Sequence, residues 1–144
     1  MPFEVESRGK GQAFLGRGAA SRIELLCGDF FALKVADVGH ISAWFDRAAI
    51  VALPPVLRSR YAETLDRLLS RDGAGFMLTF EYPQEEREGP PYSVAFDDVV
   101  AQFEGLFEVT LRECLDLTAK NHWGLSSVLE PVMSLRRSGG TQGV

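Results

Sequence analysis

The strongest constraint on the fold lies toward the C-terminal end. Two strand-like segments, residues 107–117 and 126–136, come one after the other with no helical segment between them, joined by a connection that contains Asn121-His122-Trp123-Gly124. Strands joined without a crossover helix run antiparallel, so the sheet closes in a hairpin. The chain before it is patterned differently. Residues 40–48 (HISAWFDRA) are apolar enough for an interior strand buried on both faces. Pro54-Pro55 opens a helix in which Leu57, Tyr61, Leu65, Leu68 and Leu69 recur at helical spacing, and Asp72-Gly73 predicts its stop. Residues 75–82 (GFMLTFEY) form the clearest strand, and residues 95–103 a short helix starting near Asp97 with Val99, Val100 and Phe103 facing inward. Strands alternating with helices and ending in a hairpin define an α/β sheet, parallel in its core and reversed at its edge.

The start of the chain carries less pattern. Gly9, Gly11, Gly16 and Gly18 interrupt residues 1–22, where a short strand at 12–15 and a glycine turn would make a hairpin with the next strand. That next strand is residues 23–27 (IELLC), ended by Gly28-Asp29, and residues 30–38 read as a loop or a single turn. Residues 1–136 are expected to form one domain, with the Gly- and Ser-containing residues 137–144 as a flexible tail.

Composition narrows the partners. A net charge of −5 over 144 residues argues against general affinity for nucleic acid, and Arg8, Lys10, Arg17 and Arg22 read as a solvated or flexible entry diluted by Glu4 and Glu6. No stretch is apolar for long enough to span a membrane, and the N-terminus lacks a signal-peptide core, which makes the cytoplasm the expected location. Cys27 and Cys114 both lie in apolar strand-like runs and are expected to be buried, reduced thiols.

Most motif chemistries fail on spacing. The glycines at 9 and 11 lead to Phe14 where a dinucleotide loop needs its third glycine. Cys27, Cys114, His40 and His122 show none of the close pairing of a metal site, and no metal is expected. There is no Gly-x-Ser-x-Gly elbow and no acid/base dyad, and Glu85-Glu86-Arg87-Glu88 reads as a solvated loop. What remains are unusual residues at strand ends: Gly28-Asp29-Phe30-Phe31, then Asp46-Arg47 inside the apolar run WFDRAAIVALPP, then Gly89-Pro90-Pro91-Tyr92. Ligands of open α/β sheets sit at the carboxyl ends of the strands. Aromatic rings there suit a flat heteroaromatic ligand, and Arg47 suits a carboxylate. A salt bridge at a domain edge remains the alternative for Asp46-Arg47.

The segments CGDFFAL (27–33), FDRAAIVALPPVLRSRY (45–61), GPPYSV (89–94) and HWGLSSVLEPVMSL (122–135) together resemble the thiopurine S-methyltransferase family, in its bacterial branch. The resemblance implies a seven-stranded, Rossmann-like, S-adenosylmethionine-dependent methyltransferase sheet with a reversed final hairpin. It implies methyl transfer to the sulfur, selenium or tellurium of a small, often aromatic, acceptor. Asp29 and Phe30 would lie along the adenine of S-adenosylmethionine. Arg47 would be the catalytic residue, reaching the methionine carboxylate and the acceptor, with Asp46 orienting it. Pro90 and Pro91 would cover the acceptor. An activated sulfonium methyl and a good nucleophile need alignment and exclusion of water rather than a base.

The resemblance also carries departures. The match covers roughly the C-terminal two-thirds of the family domain, so the family's first two strands, with the Cys-Gly turn and the acidic residue that grips the ribose, are expected to be absent. Where some members carry an arginine ahead of the Trp-Gly pair, this chain has Ala119 and Lys120. Without those strands the WFDRA strand keeps an uncovered apolar edge, which invites a homodimer or a complementing chain. The alternative to an enzyme is a non-catalytic remnant acting as an interaction module or as half of a split enzyme.

Overall fold

The computed structural model describes residues 3–138. They fall into two compact units, one ending at His40 and the other beginning at Ile41.

The first unit is a three-stranded antiparallel meander of β1 (Phe3–Arg8), β2 (Gly11–Gly16) and β3 (Glu24–Cys27), with the single-turn helix α1 (Val35–Val38) after it. The expected short strand at 12–15 is β2, and it pairs with β3 as foreseen. The residues ahead of it are not a loose entry but strand β1. Charge explains the order: Arg8 binds Glu6 and Glu24, the latter at 3.0 Å, and donates to the Asp37 carbonyl at 3.1 Å, while Arg17 lies 3.2 Å from Glu4. The two flanking carboxylates raise the Arg8 pKa further.

The second unit holds a four-stranded sheet in the order β4-β5-β7-β6, built from β4 (Ile41–Asp46), β5 (Leu69–Leu78), β6 (Phe107–Asp116) and β7 (Leu129–Arg137). β4 and β5 are parallel, and β7 runs antiparallel to both β5 and β6. The hairpin expected from the sequence therefore closes the sheet, with β7 inserted between β5 and β6.

Two helices precede β5: the single-turn α2 (Ala49–Ala52) and the longer α3 (Pro55–Leu68). Helix α3 has its proline in the first turn and buries Tyr61, Leu65 and Leu68, three of the five periodic residues. It stops at Leu68, ahead of the expected Asp72-Gly73, because Leu69 pairs directly with Ile41. Asp72-Gly73 instead falls in the register shift between that pair and Ala43↔Ala74. At Gly75 the ring of Trp44 crosses the backbone so closely that a Cβ would meet it at 2.2 Å. Trp44 then packs edge-on to Phe107 (5.3 Å), and Phe107 to Phe103 (5.7 Å). Phe103 lies just past helix α4 (Phe96–Gln102) and is fully buried with Val99, whereas Val100, one step round the helix, is exposed.

Met77, Met133 and Leu135 are fully buried on one side of the sheet, while Phe45 and Phe76 stack on each other at 6.3 Å and remain 65% and 41% exposed. The expectation that residues 40–48 form a strand buried on both faces is corrected: β4 is an edge strand, paired only with β5 among the described residues. Both cysteines are exposed rather than buried. All four residues of β3 are exposed, and β6 is the other edge of its sheet. Arg137 completes β7 rather than opening a tail, lying 3.0 Å from Asp66, and residues 139–144 of the expected tail fall outside the described residues.

Candidate functional site

At the carboxyl ends of β4 and β5 the apolar run WFDRA closes on a buried carboxylate. Asp46 is only 3% exposed. Its Oδ1 accepts from the Ala49 N–H at 2.8 Å, and its Oδ2 accepts from the Ile50 N–H at 3.2 Å and the Tyr61 hydroxyl at 2.7 Å. Backbone donors at a helix start have no partner within the helix, so a carboxylate there fixes the entry. Asp46 thus starts α2 and ties it to α3. Burial first, then the neighbouring charge, pushes the Tyr61 phenol well above its usual range, so it stays a donor. The expectation that Asp46 orients Arg47 is not met, since Asp46 spends its hydrogen bonds on α2 and α3.

Arg47 turns toward another strand. Its exposed guanidinium places Nη2 3.8 Å from Oε1 of Glu130, on β7. Glu130 is 5% exposed, and that same Oε1 accepts no hydrogen bond from the described residues.

The Gly89-Pro90-Pro91 segment is fastened to the same rim. The Tyr92 N–H donates to the Val51 carbonyl of α2 at 2.7 Å, and the Tyr82 hydroxyl donates to the Pro91 carbonyl at 2.5 Å. Buried Arg58 of α3 donates from Nε to the Leu53 carbonyl at 3.0 Å and lies 5.8 Å from the Tyr92 ring centroid. Its burial lowers the guanidinium pKa. Asp46 therefore holds α2, and α2 in turn holds Tyr92, the residue after Pro91.

The run 85–88 is docked rather than simply solvated. Glu86 accepts from the Ser126 N–H at 2.8 Å and from its hydroxyl, and the Arg87 guanidinium lies 5.0 Å from the Trp123 ring centroid.

Asp29 and Phe30 belong to the first unit and lie together in a cavity of about 170 Å³, which Arg8, Lys10, Leu26 and Cys27 also line. Asp29 Oδ1 accepts from the Phe31 N–H at 2.9 Å, and the Phe30 and Phe31 rings meet edge-on at 5.9 Å. Bare backbone forms part of the wall: a Cβ on Gly11 would come within 2.4 Å of the Cys27 carbonyl oxygen.

The profile of the thiopurine S-methyltransferase (TPMT) family matches residues 5–138. This chain belongs to that family. Thiopurine S-methyltransferase of Bordetella pertussis is 37% identical over 140 residues, covering 94% of this chain and 62% of that protein. The enzyme of Pseudomonas syringae pv. tomato is 46% identical over 92 residues, 64% of this chain and 42% of that protein. The chain thus spans about half the length of the curated relatives it matches. The crystal structure of a proposed O-methyltransferase from Nostoc punctiforme superposes with a TM-score of 0.56 at 14% identity, over 83% of this chain and 38% of that one. It shares the fold, an α/β, Rossmann-like methyltransferase architecture with an antiparallel end hairpin; the expected single seven-stranded sheet is corrected, since the strands divide between a three-stranded and a four-stranded sheet.

Sequence reasoning missed Glu130, Tyr61 and Arg58. Glu130 carried the signal that drew attention to Asp46, a charge inside the apolar run SSVLEPVMSL. Tyr61 falls at an ordinary core position of the helical pattern, and nothing in its spacing distinguishes a ring that only packs from one that also donates.

Proposed function

We propose that this chain is a methyltransferase of the thiopurine S-methyltransferase type, taking its methyl group from S-adenosylmethionine. The methyl goes to the sulfur, or to selenium or tellurium, of a small and often aromatic acceptor. The observation that carries this reading is the family match from residue 5 to residue 138. The residues present fit such a cofactor in part. The cavity beside Asp29 and Phe30 offers a carboxylate, an aromatic edge and bare glycine backbone, a combination suited to a flat, amine-bearing ring. Arg47 offers an exposed fork of donors suited to a carboxylate.

S-adenosylmethionine supplies a methyl already activated on a sulfonium, so the chain's own residues have limited work. Asp29 and Phe30 bind the adenine, and Arg47 orients the amino-acid carboxylate and the acceptor. Pro90 and Pro91, fastened to α2, form a wall that excludes water from the acceptor side. Two free cysteines suit a reducing cytoplasm.

Calorimetric titration of the purified chain with S-adenosylmethionine, with a later assay of thioether product from an aromatic thiol, tests this reading. Saturable one-site heat with product supports it. A folded chain giving no heat at millimolar ligand overturns it.

One observation favours a second reading. β4 presents an unpaired edge among the described residues, with Phe45 and Phe76 exposed beside it. An unpaired apolar edge is a template for strand addition. In this reading the chain works as a homodimer or with a complementing chain, and light scattering showing a concentration-independent monomer would remove the homodimer.

A further inference from the structure

The geometry points to Glu130 as a positioning residue for Arg47. The inference rests on the proposed role of Arg47 in ligand binding and adds to it what holds the guanidinium in place. A carboxylate buried to the extent of Glu130 is costly unless an opposite charge or donors compensate it. No hydrogen-bond donor among the described residues reaches its Oε1. The ion pair at Glu130 is with Arg47, whose Nη2 stands at 3.8 Å, within charge-pairing range and beyond hydrogen-bond range.

The asymmetry of the pair gives it a function. Glu130 is held by β7, in register with Leu115 of β6, so it cannot follow Arg47 into solvent. Arg47, whose side chain is 65% exposed, would otherwise sample many rotamers. The carboxylate therefore restricts the guanidinium to the strand-end rim fastened to Pro91 through α2. Because the contact is open, the five donors of the fork are not consumed by it, and a ligand carboxylate or a polarised chalcogen can engage them while Glu130 holds the opposite side. A closed bidentate pair would have to break first.

The test uses the chain labelled with ¹⁵N and two readouts. The Arg47 Nε–H signal, assigned by its loss in Arg47→Lys, should relax as a restrained group in the wild-type chain. In Glu130→Gln it should move into the flexible range, with an order parameter below about 0.6. In the methyl-transfer assay, Glu130→Gln should raise the acceptor KM about tenfold with kcat changed less than about threefold. It should add nothing further in an Arg47→Ala background.

Equal Arg47 relaxation in wild type and Glu130→Gln overturns the inference. So does a Glu130→Gln effect of the same size with and without Arg47. If the wild-type chain transfers no methyl, the proposed function falls, and the relaxation comparison still decides the role of Glu130. Should Glu130→Gln fail to fold, Glu130→Asp replaces it, keeping the charge and withdrawing it by one methylene.

Discussion

Asp46 and Glu130 are both carboxylates buried to within a few per cent at strand ends of the same sheet, and they are treated in opposite ways. Asp46 accepts from two backbone N–H groups and a tyrosine hydroxyl, all within 3.2 Å. Glu130 has one cation at 3.8 Å and an oxygen without a donor among the described residues. A buried charge surrounded by donors is part of the scaffold, because each donor would be orphaned without it. A buried charge left open beside an exposed arginine contributes little to the fold and leaves capacity for something else. Burial alone would have ranked the two alike; the count of donors separates them.

The difference is sharpest when each carboxylate is removed. Asp46→Ala strips the start of α2 of its acceptor and leaves the Tyr61 hydroxyl buried and unpaired. The expected loss is about 3 kcal/mol, read as a lower urea midpoint with an unchanged slope. Tyr61→Phe removes one donor and leaves both backbone donors on Asp46, so its cost should be about 1.5 kcal/mol. Glu130→Gln, the variant that should free Arg47, is expected to change stability by less than about 1 kcal/mol in either direction, because losing the pair is offset by losing a buried charge. If Glu130→Gln proved as destabilising as Asp46→Ala, the contrast would collapse, and Glu130 would be a scaffold residue too.

Much of this organisation was legible in the sequence, and the failures share a cause. The end hairpin and α3 were readable because their signals are local: two strands without a helix between them, and leucines at helical spacing after Pro54-Pro55. The strand built on WFDRA was correctly placed, and its uncovered edge was implied by the family pattern. Its burial was misjudged, because burial depends on neighbours that the run itself does not encode. The same holds for Cys27 and Cys114, whose apolar surroundings in sequence lie on edge strands in space. The hairpin of β2 with β3 was legible, but strand β1 ahead of it was not, because its ties include charge pairs such as Arg8 with Glu24, sixteen residues apart. At the candidate site, Asp46 and Arg47 stood out as a pair, and the structure separates them, one to α2 and α3 and the other to Glu130.

Glu86 supplies a third case, a carboxylate that is exposed and yet well supplied with donors, and it gives the smallest effect. The Ser126 hydroxyl and N–H hold its carboxyl below the ordinary value of 4.5. A folded-state pKa below the unfolded one means the contact contributes fully above the unfolded value and is lost as the pH falls through the folded one. The loop 84–88 should therefore release Ser126 only in acid, as the pH falls below the ordinary carboxylate value. Trp123 reports the event, because Arg87, next in sequence to Glu86, lies over its ring. The Trp123 indole N–H resonance should titrate with a midpoint below 4.5. Ser126→Ala, which deletes the hydroxyl and keeps the N–H, should move that midpoint upward without reaching the ordinary value. A Trp123 signal unmoved by either acid or Ser126→Ala would show that donors alone, without burial, do not couple a carboxylate to its surroundings here. The distinction drawn between Asp46 and Glu130 would then hold only for buried groups.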